Sequence, residues 1–498
     1  MTTTKKPFFI TTPIYYVNGS PHLGHAYTTV AADCLARFKR LAGEEVFFST
    51  GTDEHGAKIA KKAEEEHKEP QAFVDEVAAE FQALWQELNI SHTKFIRTTD
   101  PAHKRAVQRV LQDLYDRGII YQGFYEGLYC TGCEQFQTVD DLVDGKCPDH
   151  NRVPEHMKEA TYLMKMTVLQ QGLIQRIKTD ALQVTPEKYK KEILSFLQGE
   201  VLQDISISRQ NVKWGIPLPF DATHTTYVWV DAFLNYLTVL GWDGNKETVP
   251  APWPADVQFI GKDILRVHAT IWPAILIHLG IPTQKVLFTH GHILSGGKKM
   301  SKTLGNVIAL SDMTARFGVD GTRYLLMSAG TFGEDVDLTM ERMTEKYNAD
   351  LANGLGNLVS RVIKLASHLE NWPDFKQTEK EFVSNVALGT RVFYNAAFED
   401  YNFSSALMSV WQNINRAKVG MTGDKEEDID AANKKVDKEK PWELIKNDPE
   451  KFRKVMAELL ERLYVISRLL DPFMPNTATE IRTALKEKKI EPLFQRIK

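Results

Sequence analysis

An α/β parallel-sheet domain, split by an insertion and followed by an all-α helical bundle, is the fold that the sequence predicts. Three observations predict it. Short apolar runs alternate with longer amphipathic stretches in the N-terminal third, and again from about residue 227. From about Gly118 to Thr226, glycines, prolines and a cysteine cluster break that rhythm. Beyond about residue 340 the β signal fades and long amphipathic stretches dominate. Strand–helix alternation implies a parallel sheet covered by helices. The expected division is 1–117 and 227–340 for the two halves of the sheet domain, 118–226 for the insertion and 341–498 for the bundle. A chain of 498 residues suggests about three domains.

Phe8–Thr12 reads as a buried strand, and Leu23–Leu41 as a helix stopping at Gly43. Val46–Ser49 is the next strand and runs into Gly51-Thr52-Asp53-Glu54-His55-Gly56. After the interruption, Val257–Ile260 reads as a strand, Asp263–Leu279 as a helix and Val286–Thr289 as another strand. Phe452–Leu470 typifies the amphipathic helices of the C-terminal bundle. The charged run Asp424–Lys440 reads as a solvated loop and helix face.

The formal net charge of −4 argues against a protein that binds polyanions through bulk positive charge. It does not exclude one that reads a nucleic acid through a few placed contacts. The opening MTTTKKPFFITTP lacks the long apolar core of a secretory signal, and no run of 18 apolar residues follows. Three of the 4 cysteines fall close together, which points to a metal site in a reducing compartment; the cytoplasm is expected. Cys34, in the first long helix, reads as core.

Two turns suggest phosphate chemistry. The first strand leads through Pro21-His22-Leu23-Gly24-His25 into a helix, whose N-terminal N–H groups and dipole favour an anion. Gly24 permits close approach, and His22 and His25 can donate to phosphate oxygens. Taken alone, the same histidines can simply cap or pack. After the last strand of the sheet comes Gly296-Gly297-Lys298-Lys299-Met300-Ser301-Lys302-Thr303, a loop with Lys299 and Lys302 three apart. Such a loop can close over a triphosphate, or it can be a basic surface turn.

Together, H-x-G-H after the first strand and K-M-S-K-T after the last resemble the class I aminoacyl-tRNA synthetases. Further blocks resemble the methionyl-tRNA synthetase family: Thr12–Gly19, Gly51–Gly56, Asp204–Arg209 with Trp214–Pro217, Tyr227–Ala232 and Gly261–Ile264. The resemblance implies a Rossmann-like catalytic domain and ATP-dependent formation of methionyl-adenylate, followed by transfer to the 3′-terminal adenosine of tRNA(Met). It assigns His22, Gly24, His25, Asp263, Lys299 and Lys302 to ATP, which brings Mg2+ with it. It places Ile14, Tyr16, Trp229, Ala232, Tyr236, Ile264 and His268 around methionine, with Asp53 holding the α-ammonium group. A thioether suits a polarizable pocket with aromatic walls. Each apolar residue alone would pass for ordinary core. One methylene gives only ~1–3 kcal/mol of discrimination, so homocysteine is expected to be a fidelity problem.

Cys130-x-x-Cys133 and Cys147-x-x-His150 supply two tight ligand pairs suited to one tetrahedral structural Zn2+, with His156 a competing fourth ligand of poorer spacing. In the helical region, Asn357 and Arg361 share a helical face. The resemblance implies that they and Trp442 contact anticodon bases; the plainer reading makes Trp442 a helix anchor and Arg361 solvated. A monomer is expected, since no C-terminal dimerising extension follows. Alternatives are a class I enzyme for another amino acid, or a zinc-containing RNA-binding protein with relic phosphate motifs.

Overall fold

A computed structural model describes residues 6–132, 135–137, 139–148, 150–210, 212–300, 307–387, 392–419 and 441–498. The chain divides into two compact units. One comprises residues through Pro21, Phe47–Leu84 and His92–Thr289; the other comprises His22–Val46, Trp85–Ser91 and residues from His290 onward.

The first unit is built on a six-stranded sheet. Its strands are β1 (Phe8–Tyr16), β2 (Val46–Asp53), β3 (Lys94–Arg97), β4 (Gln183–Thr185), β5 (Val257–Gly261) and β6 (Val286–His290), in the order β3-β2-β1-β5-β6-β4. Pairing is parallel, with Gly51 opposite Ile96, Ile10 opposite Val257 and Leu287 opposite Val184. The β1, β2 and β5 side chains are mostly buried, as parallel strands covered on both faces require. Gly51 is needed for the β2–β3 fit: a Cβ there would lie 2.1 Å from the Ile96 carbonyl oxygen. Strand order reverses between β1 and β5. In open α/β sheets, the carboxyl ends at such a reversal form a binding crevice.

Residues 118–226 hold a separate four-stranded sheet, ordered Gln135–Gln137, Ile120–Cys130, Glu155–Met164, Ile205–Ser206 and antiparallel throughout. The same span supplies β4 to the parallel sheet, flanked by helices Gln170–Lys178 and Glu187–Gly199. A three-residue strand carries too little periodicity to be recognised in sequence. Val184 is nevertheless buried with Leu173, Ile177, Ile193 and Leu287. A larger core gathers Phe9, Val107, Val110, Phe233, Trp272 and Ile275.

The second unit is largely helical. Leu23–Leu41 has the bounds that the sequence predicts, and Cys34 within it is fully buried. Leu310–Met327 is followed by Met340–Lys346, a π-helix Tyr347–Gly356 and helix Asn357–Ala366. Pro449–Leu470, with Pro at its first turn, buries Leu460, Leu463 and Ile466. An ion pair lies inside this unit. Asp33 Oδ2 accepts from Arg323 Nη2 at 2.7 Å, and both side chains are fully buried. Arg323 also donates to the carbonyls of Leu88, Pro472 and Phe473. Asp33 in turn accepts from Arg37 and from the N–H and hydroxyl of Ser91. Among the described helices, none is long and apolar enough to cross a membrane.

Candidate functional site

The H-x-G-H turn begins helix Leu23–Leu41 in an uncommon way. His22 is the N-cap: its Nδ1 accepts from the Gly24 N–H at 3.1 Å. The Nδ1 of His25 accepts from the His22 N–H at 3.3 Å. The two rings stack, with centroids 3.6 Å apart. Because both Nδ1 atoms accept, the neutral rings carry their protons on Nε2, the form that donates to an anion. Capping and anion binding therefore use different nitrogens and do not compete. A Cβ on Gly24 would lie 3.0 Å from His22 Cε1, so glycine gives the ring its space.

One turn along, Thr28 Oγ1 lies 2.7 Å from His290 Nε2, while His290 Nδ1 donates to the Gly291 carbonyl. That contact ties the helix to the chain entering a hairpin of Ile293–Ser295 and Lys298–Lys299. Gly296 and Gly297 both have positive φ, as a two-residue primed turn demands. The Lys299 backbone lies in this hairpin; Ser301 to Asn306, including Lys302, fall outside the described residues.

In the first unit, the ends of β1, β2 and β5 bring Ile14, Tyr16, Asp53, Asp263 and Ile264 to the carboxyl edge of the sheet. Asp53 is 8% exposed. Its neighbour Glu54 is buried, paired with Arg97 at 2.7 and 2.9 Å and bonded by Thr52 and Thr99. Trp214 Nε1 donates to the Glu54 carbonyl, and the Gly56 N–H to the Trp214 carbonyl. Two blocks far apart in sequence thus brace one turn.

Of the residues expected around methionine, Trp229, Tyr236 and His268 fall in one aromatic cluster. The short helix Val228–Phe233 carries Trp229 and Ala232; Asn235–Thr238 carries Tyr236. His268, on helix Leu265–Leu279, donates from Nδ1 to the Ile264 carbonyl at 2.9 Å. Its Nε2 therefore accepts from Tyr236 Oη at 3.0 Å. Burial pulls the His268 imidazole down to about 4, so it is neutral at physiological pH, and burial pushes the Tyr236 phenol up. Trp229 stands edge-on to His268 at 6.0 Å, and Phe233 at 4.9 Å.

The cysteine segment groups three residues that could hold a metal ion. Ligand atoms of Cys130, Cys147 and His150 all lie within 4.8 Å of one another. Cys147 Sγ and His150 Nδ1 are 3.7 Å apart. A tetrahedral zinc ion with bonds of about 2.3 and 2.05 Å would span an edge of about 3.6 Å. Gly132 is required here, since a Cβ would lie 2.4 Å from the His150 ring. Gln137 donates to Cys147 Sγ, a contact that would orient the sulfur toward a metal. Cys133 lies outside the described residues, and His156, exposed on Glu155–Met164, is not among the grouped ligands.

Asn357 is exposed and Arg361 half-exposed on helix Asn357–Ala366, whose Leu358, Val359, Val362 and Ile363 are buried. Trp442 is 41% exposed, whereas Pro441 beside it is buried.

The family model described as tRNA synthetases class I (M) matches residues 8–153 and 150–363. The chain belongs to this family. It is 44% identical to the methionine–tRNA ligase of Clostridium perfringens over 491 residues, 97% of this chain and 74% of that one. The corresponding ligase of Bacillus subtilis is 40% identical, over 94% of this chain and 71% of its own. Among solved structures, Mycobacterium tuberculosis methionyl-tRNA synthetase in complex with methionyl-adenylate aligns with a TM-score of 0.84 at 34% identity. That alignment covers 96% of this chain and 93% of the other.

Within this class I fold, three site-adjacent residues escaped the sequence reading, and a fourth, Arg209, stood in a matching block without an assigned role. Phe233 and Trp272 complete the aromatic cluster, with ring centroids 6.0 Å apart, yet in sequence they are ordinary core residues. Arg209 is buried over the Tyr227 ring at 4.2 Å and donates to Ser206 and Ser208. His103 lies in no motif but is fully engaged behind the aromatic cluster. Only its position on the buried face of an amphipathic helix signalled it.

Proposed function

We propose that this class I enzyme is a methionine–tRNA ligase. It activates methionine with ATP and passes the methionyl group to the 3′-terminal adenosine of tRNA(Met). The supporting observation is an aromatic cluster around a neutral imidazole, on the same sheet unit as the buried Asp53. A thioether needs dispersion contacts and no adjacent charge, and His268 offers a polarizable, uncharged wall. Ile14, Tyr16, Trp229, Ala232, Tyr236 and Ile264 enclose the side chain, while Asp53 accepts a charge-assisted hydrogen bond from the α-ammonium group.

A methionine carboxylate oxygen attacks the α-phosphorus of ATP. The bond to the β-phosphate bridging oxygen breaks, and its electron pair leaves with pyrophosphate. Negative charge grows on the triphosphate during this step. The Nε2–H groups of His22 and His25 and the ammonium groups of Lys299 and Lys302 stabilise it. Gly24 admits the nucleotide, and Asp263 binds near its ribose. Mg2+ arrives with ATP as part of the substrate.

Cys130, Cys133, Cys147 and His150 hold one Zn2+, which supplies a covalent cross-link of its loop and no chemistry. Cys147→Ser is expected to lower bound zinc from one per chain to well below one half and to expose the segment to proteolysis. Metal analysis with limited digestion checks this; full zinc and unchanged digestion would refute the assignment.

Asn357, Arg361 and Trp442 read the anticodon by edge hydrogen bonds and stacking. Trp442→Ala is expected to raise the KM for tRNA roughly ten- to hundredfold, the worth of one base stack. Methionine-dependent ATP–pyrophosphate exchange should stay unchanged. Equal loss of both activities, or of neither, would remove the anticodon role. The enzyme acts in the cytoplasm as a monomer; light scattering with and without tRNA tests the monomer.

A further inference from the structure

The pocket helices Val228–Phe233 and Asn235–Thr238 are too short to hold their own orientation. Trp229 and Asp231 are two residues apart, hence on opposite faces, and so are Tyr236 and Thr238. The faces turned from the expected methionine site are thus Asp231 and Thr238. Both are bonded by a single imidazole. His103, on helix Pro101–Asp116, donates from Nε2 to Asp231 Oδ1 at 2.8 Å. Its Nδ1 lies 2.7 Å from Thr238 Oγ1 and accepts from that hydroxyl when the ring is neutral. The other Asp231 oxygen accepts from His55 Nδ1 at 2.7 Å, two residues beyond Asp53. His55, His103, Asp231 and Thr238 are all buried.

We propose that His103, acting through Asp231, Thr238 and His55, is the positioning residue of the amino-acid pocket. It fixes the azimuth of Trp229 and Tyr236 and locks the thioether wall to the turn carrying Asp53. Nothing at His103 touches substrate. Its effect is to hold the two ends of methionine at one spacing, and so to set selectivity for side-chain length. Burial pushes the Asp231 carboxyl up, but the charge of His55 and the hydrogen bonds from His103 and His55 outweigh it and hold Asp231 at about 2. Asp231 is therefore a carboxylate at neutral pH, able to anchor both imidazoles.

The proposal rests on the methionine reading of the pocket, and a control separates the two. Methionine- and homocysteine-dependent ATP–pyrophosphate exchange is measured for the full chain, Trp229→Ala, His103→Gln and Thr238→Val. Loss of one hydrogen bond to a charged group implies a rise of roughly tenfold or more in methionine KM for His103→Gln, with ATP KM within twofold. The preference for methionine over homocysteine should fall by a similar factor. Thr238→Val, which removes only the rear contact of the second helix, should raise methionine KM about three- to fivefold, a neutral hydrogen bond's worth. If Trp229→Ala raises methionine KM while both other variants leave it and the preference unchanged, the positioning role is overturned and the pocket reading survives. If Trp229→Ala changes neither quantity, the pocket reading itself falls. If His103→Gln does not fold, Thr238→Val decides the question. Equal rises in methionine and ATP KM would mark a merely structural role and overturn the proposal.

Discussion

Replacing Arg323 with methionine is expected to destabilise the protein by about 3–5 kcal/mol, the cost of stranding one member of a buried ion pair. Asp33 would keep Ser91 and Arg37 but lose its only fully buried cationic partner among the described residues. Three backbone carbonyls, those of Leu88, Pro472 and Phe473, would lose their donor at the same time. Urea unfolding measures the effect, and a double variant separates its causes. Asp33→Leu with Arg323→Met removes both charges and should recover part of the loss. The pH dependence has a definite sign. Burial pushes the Asp33 carboxyl up, but Arg323, Arg37 and Ser91 more than offset it, and the net shift is downward. Its stabilising contribution is therefore full above the unfolded carboxylate value of ~3.9 and is lost as pH falls below it. A single Arg323→Met variant as stable as the parent would contradict this account.

The second large effect concerns His22, where capping and chemistry can be separated by one substitution. Asparagine is a good N-cap, so His22→Asn should preserve the helix start to within about 0.5 kcal/mol. It removes the Nε2 donor. If that donor faces the triphosphate, the single-turnover rate of adenylate formation should fall by roughly 10²–10³, as it does when one oxyanion donor is removed. Unchanged stability with an unchanged rate would leave His22 as a cap and nothing more. His25→Ala is a weaker test, because it also breaks the reciprocal bond to the His22 N–H.

Much of the fold was legible because the strongest signals are local. Leu23–Leu41 is bounded by a capping turn and a glycine, and β1, β2, β5 and β6 by apolar runs with clear breaks. The cysteine–histidine cluster was legible because two x-x spacings restrict the geometry of a turn, and its members Cys130, Cys147 and His150 do come together. What escaped notice depends on tertiary partners. Val184 belongs to a strand too short to show a period, and it becomes a sheet residue only beside Leu287. His103 and Arg323 sit on amphipathic helices without any motif, and each acquires its meaning from residues more than 100 positions away. The His22 and His25 tautomers were equally invisible, since they follow from which nitrogen accepts from the backbone. Lys302 and Cys133, both expected from sequence, lie outside the described residues, as does the charged run 424–440.

The net charge of −4 takes on a sharper meaning beside the exposed Trp442 and the half-exposed Arg361. On the proposed reading, in which Trp442 and Arg361 contact unpaired bases by stacking and edge hydrogen bonds, there is little need of bulk positive charge.

The most direct test of the account is ATP–pyrophosphate exchange with a panel of the twenty amino acids. Strong exchange with methionine, lowered roughly 10²–10³-fold in the His22→Asn variant, is the predicted result. Strong exchange with another amino acid and none with methionine would contradict it.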